Sequence, residues 1–275
     1  MTQEVAHDNS NGRTGVVLME AATGRSQIEG EAVVPIVETR TLRKVYDTGG
    51  TPVVAVDDIS VVIKAGEFVA IMGPSGCGKS SLLHLLGGLD RPTSGEIDID
   101  GERVDQLSET EWAQRRRTKI GYVFQFFNLI PNFSVADNVE LPARVAGVPR
   151  PEARRRREAL LAQLGLSQLA NAMPARISGG QQQRVAIGRA LVNEPALLLA
   201  DEPTGNLDTK MAAEVVAVLR QRNAAGQTIV MVTHDPAVAA AASRCLTLRD
   251  GRVVRDAPPE AVNVTAVAGG SGRKG

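Results

Sequence analysis

Apolar and polar positions set out the elements of this chain before any motif is considered. In ISVVIK (59–64), Ile59, Val61 and Ile63 alternate with Ser60, Val62 and Lys64, the period-2 signature of a strand. Two later runs, 196–200 and 228–233, are apolar throughout. Such runs mark strands buried on both faces, as in a parallel sheet covered by helices. Further strands are predicted at 33–40, 66–73, 95–101, 120–125 and 244–251, and helices at 81–89 and 151–164. Ser108 with Glu111 and Ser134 with Asp137 have the spacing of reciprocal capping boxes, so each opens a helix. A further helix is expected from Ser178 to about 193, stopping before Pro195. The pattern predicts an α/β fold with a mostly parallel core sheet and a mostly helical insertion from about 126 to 177.

Composition narrows the class. Of 275 residues, 43% are apolar, enough for a sizeable core. The 31 basic and 31 acidic residues cancel, which argues against a chain that coats nucleic acid. No apolar run approaches the roughly 20 residues that cross a bilayer, and MTQEVAHDNS lacks the pattern of a secretory signal. Cys77 and Cys245 are the only cysteines, so no disulfide framework is expected and a reducing, cytoplasmic setting fits. Residues 1–32 read as a flexible polar arm, 33–256 as one folded unit and 257–275 as a flexible tail.

The chemistry concentrates in a few places. GPSGCGKS (73–80) follows a strand and precedes a helix, the setting of a phosphate-binding loop. In the loop Gly73, Pro74, Ser75, Gly76, Cys77 and Gly78, the glycines let the available backbone N–H groups wrap the phosphates. Lys79 places a charge at the β and γ phosphates, and Ser80 offers its hydroxyl to Mg²⁺. Cys77, beside Lys79 at a helix N-terminus, is expected to be a reactive thiol that nucleotide shields. Asp201 ends a buried strand, where a carboxylate can hold Mg²⁺ through water, and Glu202 can face the attacking water.

Other candidates are less specific alone. Gln125 closes the 120–125 strand and could touch metal or water, or be a solvated loop glutamine. His234 could donate to a γ phosphate or serve structure, and His84, among leucines, reads as structural. Tyr46 could stack on adenine or lie on the core or surface. The arginine run at 154–157 reads as a solvated helix face. In ISGGQ (177–181), Gly179 and Gly180 occupy the first helical positions between Ser178 and its capping partner Gln181. Alanine would start a helix better, by about 1 kcal/mol in a helix interior. Bare amides at a helix tip suggest close approach of an anion.

Tyr46, GPSGCGKS, Gln125, ISGGQ, LLLADEP, NLD (206–208) and His234 occur in the order expected of an ATP-binding cassette subunit, and the chain resembles that family from about 35 to 254. FQFFNLIPNFSVADNVELP (124–142) and DEPTGNLD (201–208) resemble the lipoprotein-releasing, macrolide-exporting and cell-division cassettes, the LolD/MacB/FtsE type. The resemblance implies a P-loop NTPase fold of ABC type, with an N-terminal antiparallel β region and a helical subdomain inserted between Gln125 and Ser178. It implies a homodimer paired head to tail, with ATP and Mg²⁺ in the seam. Ser178, Gly179, Gly180 and Gln181 of one copy would face the loop of the other, with Asp208 at the seam and Ser81 in the nucleotide loop. Glu202, His234 and Lys79 are the implied catalytic residues, and Ser80, Gln125 and Asp201 the implied Mg²⁺ set. The implied activity is ATP hydrolysis at the cytoplasmic face of a membrane, powering a separate FtsX/MacB-like permease, with no nucleic acid partner. An alternative is an FtsE-like regulatory tether that moves no substrate. Ile177, Ser81 and Gly188 depart mildly from the family's usual Leu, Thr and Ala.

Overall fold

The computed structural model describes residues 35–47 and 49–259; the expected arm at 1–32 and residues 260–275 of the expected tail lie outside them. Strands β1 (Pro35–Tyr46), β2 (Val53–Lys64), β4 (Ser94–Ile99) and β5 (Glu102–Arg103) form an antiparallel sheet in the order β2-β1-β4-β5. Strands β3 (Phe68–Met72), β6 (Ile120–Val123), β7 (Leu197–Asp201), β8 (Thr228–Val232), β9 (Arg244–Arg249) and β10 (Arg252–Ala257) form the second, in the order β10-β9-β3-β8-β7-β6. All its pairings are parallel except β9 with β10. This is the expected mostly parallel core with an antiparallel β region.

The continuous apolar runs are explained by what covers them. Side chains alternate across a strand. Val69, Ile71, Leu197, Leu199, Val230 and Val232 enter one core with Leu82, Leu83 and Leu85 of α1 (Lys79–Leu86). Phe68, Ala70, Leu198, Ala200, Ile229 and Met231 enter the other. There they join Val185 and Ile187 of α5 (Gly179–Leu191) and Val215 and Leu219 of α6 (Thr209–Ala224). Full burial of such a side chain contributes about 1.5–3 kcal/mol.

The insertion is helical, as expected. After α2 (Glu109–Thr118) and β6 it contains α3 (Val135–Val145), α4 (Arg150–Gln163) and two short 3-10 turns. All three capping boxes form, on Ser108, Ser134 and Ser178. Asn138 is fully buried; its amide donates to Ile130 O and Phe133 O, and its carbonyl accepts from Ile130 N at 2.8 Å. This pins the segment after Gln125 onto α3.

The structure corrects several expectations. Strand β6 ends at Val123, so Gln125 lies beyond it instead of closing it. Helix α5 ends at Leu191. Helix α6 had no sequence reading: only Val215 and Leu219 are fully buried, a stripe too narrow to register. The arginine run is not uniformly solvated. Arg157 is half-buried and pairs with Glu140 of α3 at 2.7 Å, while Arg155 and Arg156 share Glu152 at 2.8 Å.

Candidate active site

Strand β3 ends at Met72 and the phosphate loop begins at once. Gly73 and Gly78 have φ of 148° and 101°, conformations L side chains rarely adopt. They are also bare for want of space. A Cβ on Gly73 would lie 2.2 Å from Leu248 O, and one on Gly78 1.9 Å from Ala55 O. The loop is thus gripped between β2 and β9. Lys79 is 9% exposed, and its Nζ donates to Gly73 O and Pro74 O at 2.9 Å each, closing the loop on itself.

Cys77 does not meet its expectation. It is 5% exposed and belongs to the core beneath the loop. Thiol reagents should therefore leave Cys77 largely unmodified in the native protein with or without nucleotide, and label it fully in denaturant. Mass spectrometry of iodoacetamide-treated protein checks this; rapid native labelling that nucleotide suppresses would restore the exposed-thiol reading.

Ser80 Oγ donates to Asp201 Oδ1 at 3.1 Å, bringing together two hard oxygen donors from α1 and β7. Burial pushes the Asp201 carboxyl above its usual range, opposed by the Ser80 hydrogen bond and by the charge of His84. Glu202 then turns sharply, with φ 44° and its N–H donating to Val232 O. Such strain costs about 1–3 kcal/mol and persists where the surroundings enforce it. The turn places Glu202 Oε1 3.0 Å from His234 Nδ1, within reach of a donated hydrogen bond. Glu202 Oε2 is buried and lacks a hydrogen-bond partner among the described residues. Ser75, Lys79, Ser80, Gln125, Glu202 and His234 line one cavity of about 320 Å³.

The remaining candidates gather elsewhere. Ser178, Gly179, Gly180, Gln181 and Asp208 do not line that cavity. Ser178 accepts from Gln181 N, and Asp208 caps α6 by accepting from Met211 N at 2.8 Å. The helix tip is less naked than the glycines suggested: Gly180 N–H points to Met211 Sδ at 3.2 Å. A Cβ on Gly180 would lie 3.0 Å from Met211, and one on Gly179 3.2 Å from Leu207. Packing within the chain is thus tight at Gly180, whereas at Gly179 the contact is with the end of the Leu207 side chain. Tyr46 does not line the cavity but contacts Ser81, which does. Its hydroxyl hydrogen-bonds Asp90 at 2.8 Å and Ser81 at 3.4 Å, and Lys44 Nζ sits 4.8 Å from its ring centroid.

Three residues that the sequence did not assign to the site support it. His84 Nε2 lies 3.9 Å from Asp201 Oδ2, and it follows Ser80 by four positions on α1, a spacing that shares a helix face. Asn206 Nδ2 donates to Gln125 O, tying the segment after Glu202 to the glutamine. Gln183, fully buried on α5, donates to Pro203 O at 2.8 Å; a helical period containing one buried amide gave no signal.

The family model described as ABC transporter matches residues 56–205. The chain belongs to the ABC transporter family. Its fold is the ABC-type P-loop NTPase fold, and ATP binding is a property of that domain. The chain is 50% identical to the macrolide export ATP-binding/permease protein MacB of Nitrosomonas europaea over 81% of its own length and 34% of that protein's. It thus spans about a third of such relatives. It is 47% identical to an uncharacterized ABC transporter ATP-binding protein of Thermotoga maritima, over 79% of this chain and 93% of the relative. It is also similar to the dimeric, post-hydrolysis ATP-binding cassette MJ0796 bound to ADP and Pi, with a TM-score of 0.74 and 43% identity, covering 81% and 98% of the two chains. No helix among the described residues of this cassette is long and apolar enough to cross a membrane.

Proposed function

We propose that this cassette hydrolyses ATP to ADP and phosphate as a head-to-tail homodimer, and that the work passes to a separate FtsX/MacB-like permease at the cytoplasmic face of a membrane. One observation carries the two-chain reading. Lys79, Ser80, Glu202 and His234 share a cavity, whereas Ser178, Gly179 and Asp208 of the same chain lie outside it. A second copy supplies the missing wall. The dimeric state of the MJ0796 cassette supports this arrangement. The relatives named for macrolide export favour a transport role over a tether.

The residues fit Mg²⁺. Ser80 Oγ and Asp201 Oδ1 are hard oxygen donors, and a cation held by two such groups keeps several waters. When bound, Mg²⁺ would offset charge on the phosphate oxygens. On nucleotide entry Lys79 exchanges the carbonyls of Gly73 and Pro74 for phosphate oxygens. Tyr46 offers adenine the ring face opposite Lys44, with Asp90 and, more weakly, Ser81 fixing its hydroxyl. Glu202 takes the proton of the attacking water, while His234 holds its carboxylate in place and then reaches the γ phosphate. Gln125 lies at the mouth of the same cavity and leads into the helical insertion. Beyond it, Leu89, Phe124, Asn128, Pro142 and Arg189 line a groove of about 290 Å³. With Phe126 and Val145 exposed nearby, this is the surface we assign to the permease.

Mg·ATP at about a hundred times its dissociation constant should stabilise the fold by about 2.7 kcal/mol. The cassette should also co-purify from membranes with a permease that raises its ATP turnover. An unchanged melting curve would refute nucleotide binding; stabilisation without any membrane partner would confine the protein to a soluble role.

A further inference from the structure

A second cavity, of about 530 Å³, opens at the opposite ends of the core strands, where β7 and β8 begin. Its walls come from α4 of the insertion, the end of α5 and the end of α6. That volume falls in the range of small-molecule sites. Leu160, Leu191, Val192 and Pro195 give it an apolar floor. Arg155, Arg156 and Arg222 give it a basic rim, with Glu194 the one acidic group in its lining.

The charges do not balance. Arg155 and Arg156 both bond Glu152 at 2.8 Å, and Glu194 acts on Arg155. Three guanidinium groups thus meet two carboxylates, and the one left over is Arg222. It donates to Gln163 Oε1 at 2.5 Å, a neutral acceptor, and no described carboxylate lies within ion-pair distance of it. Burial alone pushes its guanidinium below the usual arginine value. A half-buried cation facing a cavity without a counter-charge carries a desolvation cost that an entering anion would offset.

We infer that this cavity binds a small monoanion with an apolar body, its charge on Arg222 and its body on the floor formed by Leu160, Leu191 and Val192. The surplus of one positive charge sets the valence, because Glu152 and Glu194 would repel a dianion. The apolar floor sets the body. Such an occupant would bridge α4 of the insertion and α6 of the core. The inference is independent of the ATPase reading.

Isothermal titration with 1-naphthoate tests it, with ADP present so that the phosphate loop is filled. The expected result is one saturable site with a dissociation constant below about 1 mM. Arg222→Gln should weaken it about tenfold or more. Neutral 1-naphthamide should bind about tenfold more weakly than the anion. Ala159 is exposed on α4 and lines the cavity, so Ala159→Trp should abolish binding and leave the fold intact by melting. The idea is overturned if 1-naphthoate fails to saturate, if both variants bind as the wild type does, or if inorganic phosphate displaces the probe.

Discussion

Glu202→Gln should lower ATP turnover by about 10²–10⁴-fold while ATP still binds, because an amide cannot accept the proton of the attacking water. The substitution preserves shape. The amide oxygen can still accept from His234 Nδ1, 3.0 Å away in the parent. It also removes a half-buried charge whose Oε2 has no partner, so stability should not fall. ATP should then accumulate in a dimer that elutes early on size exclusion with Mg·ATP and reverts when nucleotide is removed. Phosphate release is the direct measurement. Turnover within about twofold of the parent would mean that the base lies elsewhere.

Gly78→Ala should be severe for a different reason. Its Cβ would lie 1.9 Å from the backbone carbonyl of Ala55, at φ 101°. Neither β2 nor the loop can give way without breaking the contact of the Asp57 amide with Gly251 O or that of the Gly251 amide with Cys77 O. Backbone strain and overpacking together cost about 2–5 kcal/mol, and the loop would lose the shape that takes phosphate. Trp112, the chain's single tryptophan and 3% exposed, reports urea unfolding directly. Gly76→Ala is the control. Its φ is 79°, but nothing lies within 4 Å of the added carbon. It should cost about 1 kcal/mol, through backbone strain alone. Equal losses at the two positions would show that conformation, not the grip of β2, makes Gly78 necessary.

Legibility in the sequence followed the strength of the local signal. Apolar runs at 196–200 and 228–233 placed the central strands, because burial on both faces leaves no polar positions. Ser108, Ser134 and Ser178 placed three helix starts correctly, because a capping box is a local interaction. The phosphate loop, Asp201 and Glu202 stood out through local motifs, and the structure brings Lys79, Ser80 and Glu202 to one cavity with Asp201 bonded to Ser80. What failed depended on distance. Cys77 looked reactive from its neighbours in sequence, yet it is buried in a core that residues of β2 and β9, distant in sequence, help to form. His84 read as structural, but its proximity to Asp201, supplied by a distant strand, had no sequence signal. The glycines at 179 and 180 suggested close approach of an anion, and the structure adds a second constraint, since Met211 and Leu207, about 30 residues on, also lie against them. Arg222 had no signal at all, since a missing counter-charge is visible only in three dimensions.

Gln183 carries a wider meaning. Its side chain joins the ISGGQ helix to Pro203, the residue after Glu202. In the proposed head-to-tail pair, that helix would attend to the neighbour's nucleotide and that glutamate to the chain's own. A disturbance at either pocket would then reach the other through a single buried amide, and the two halves of the motor would keep common time.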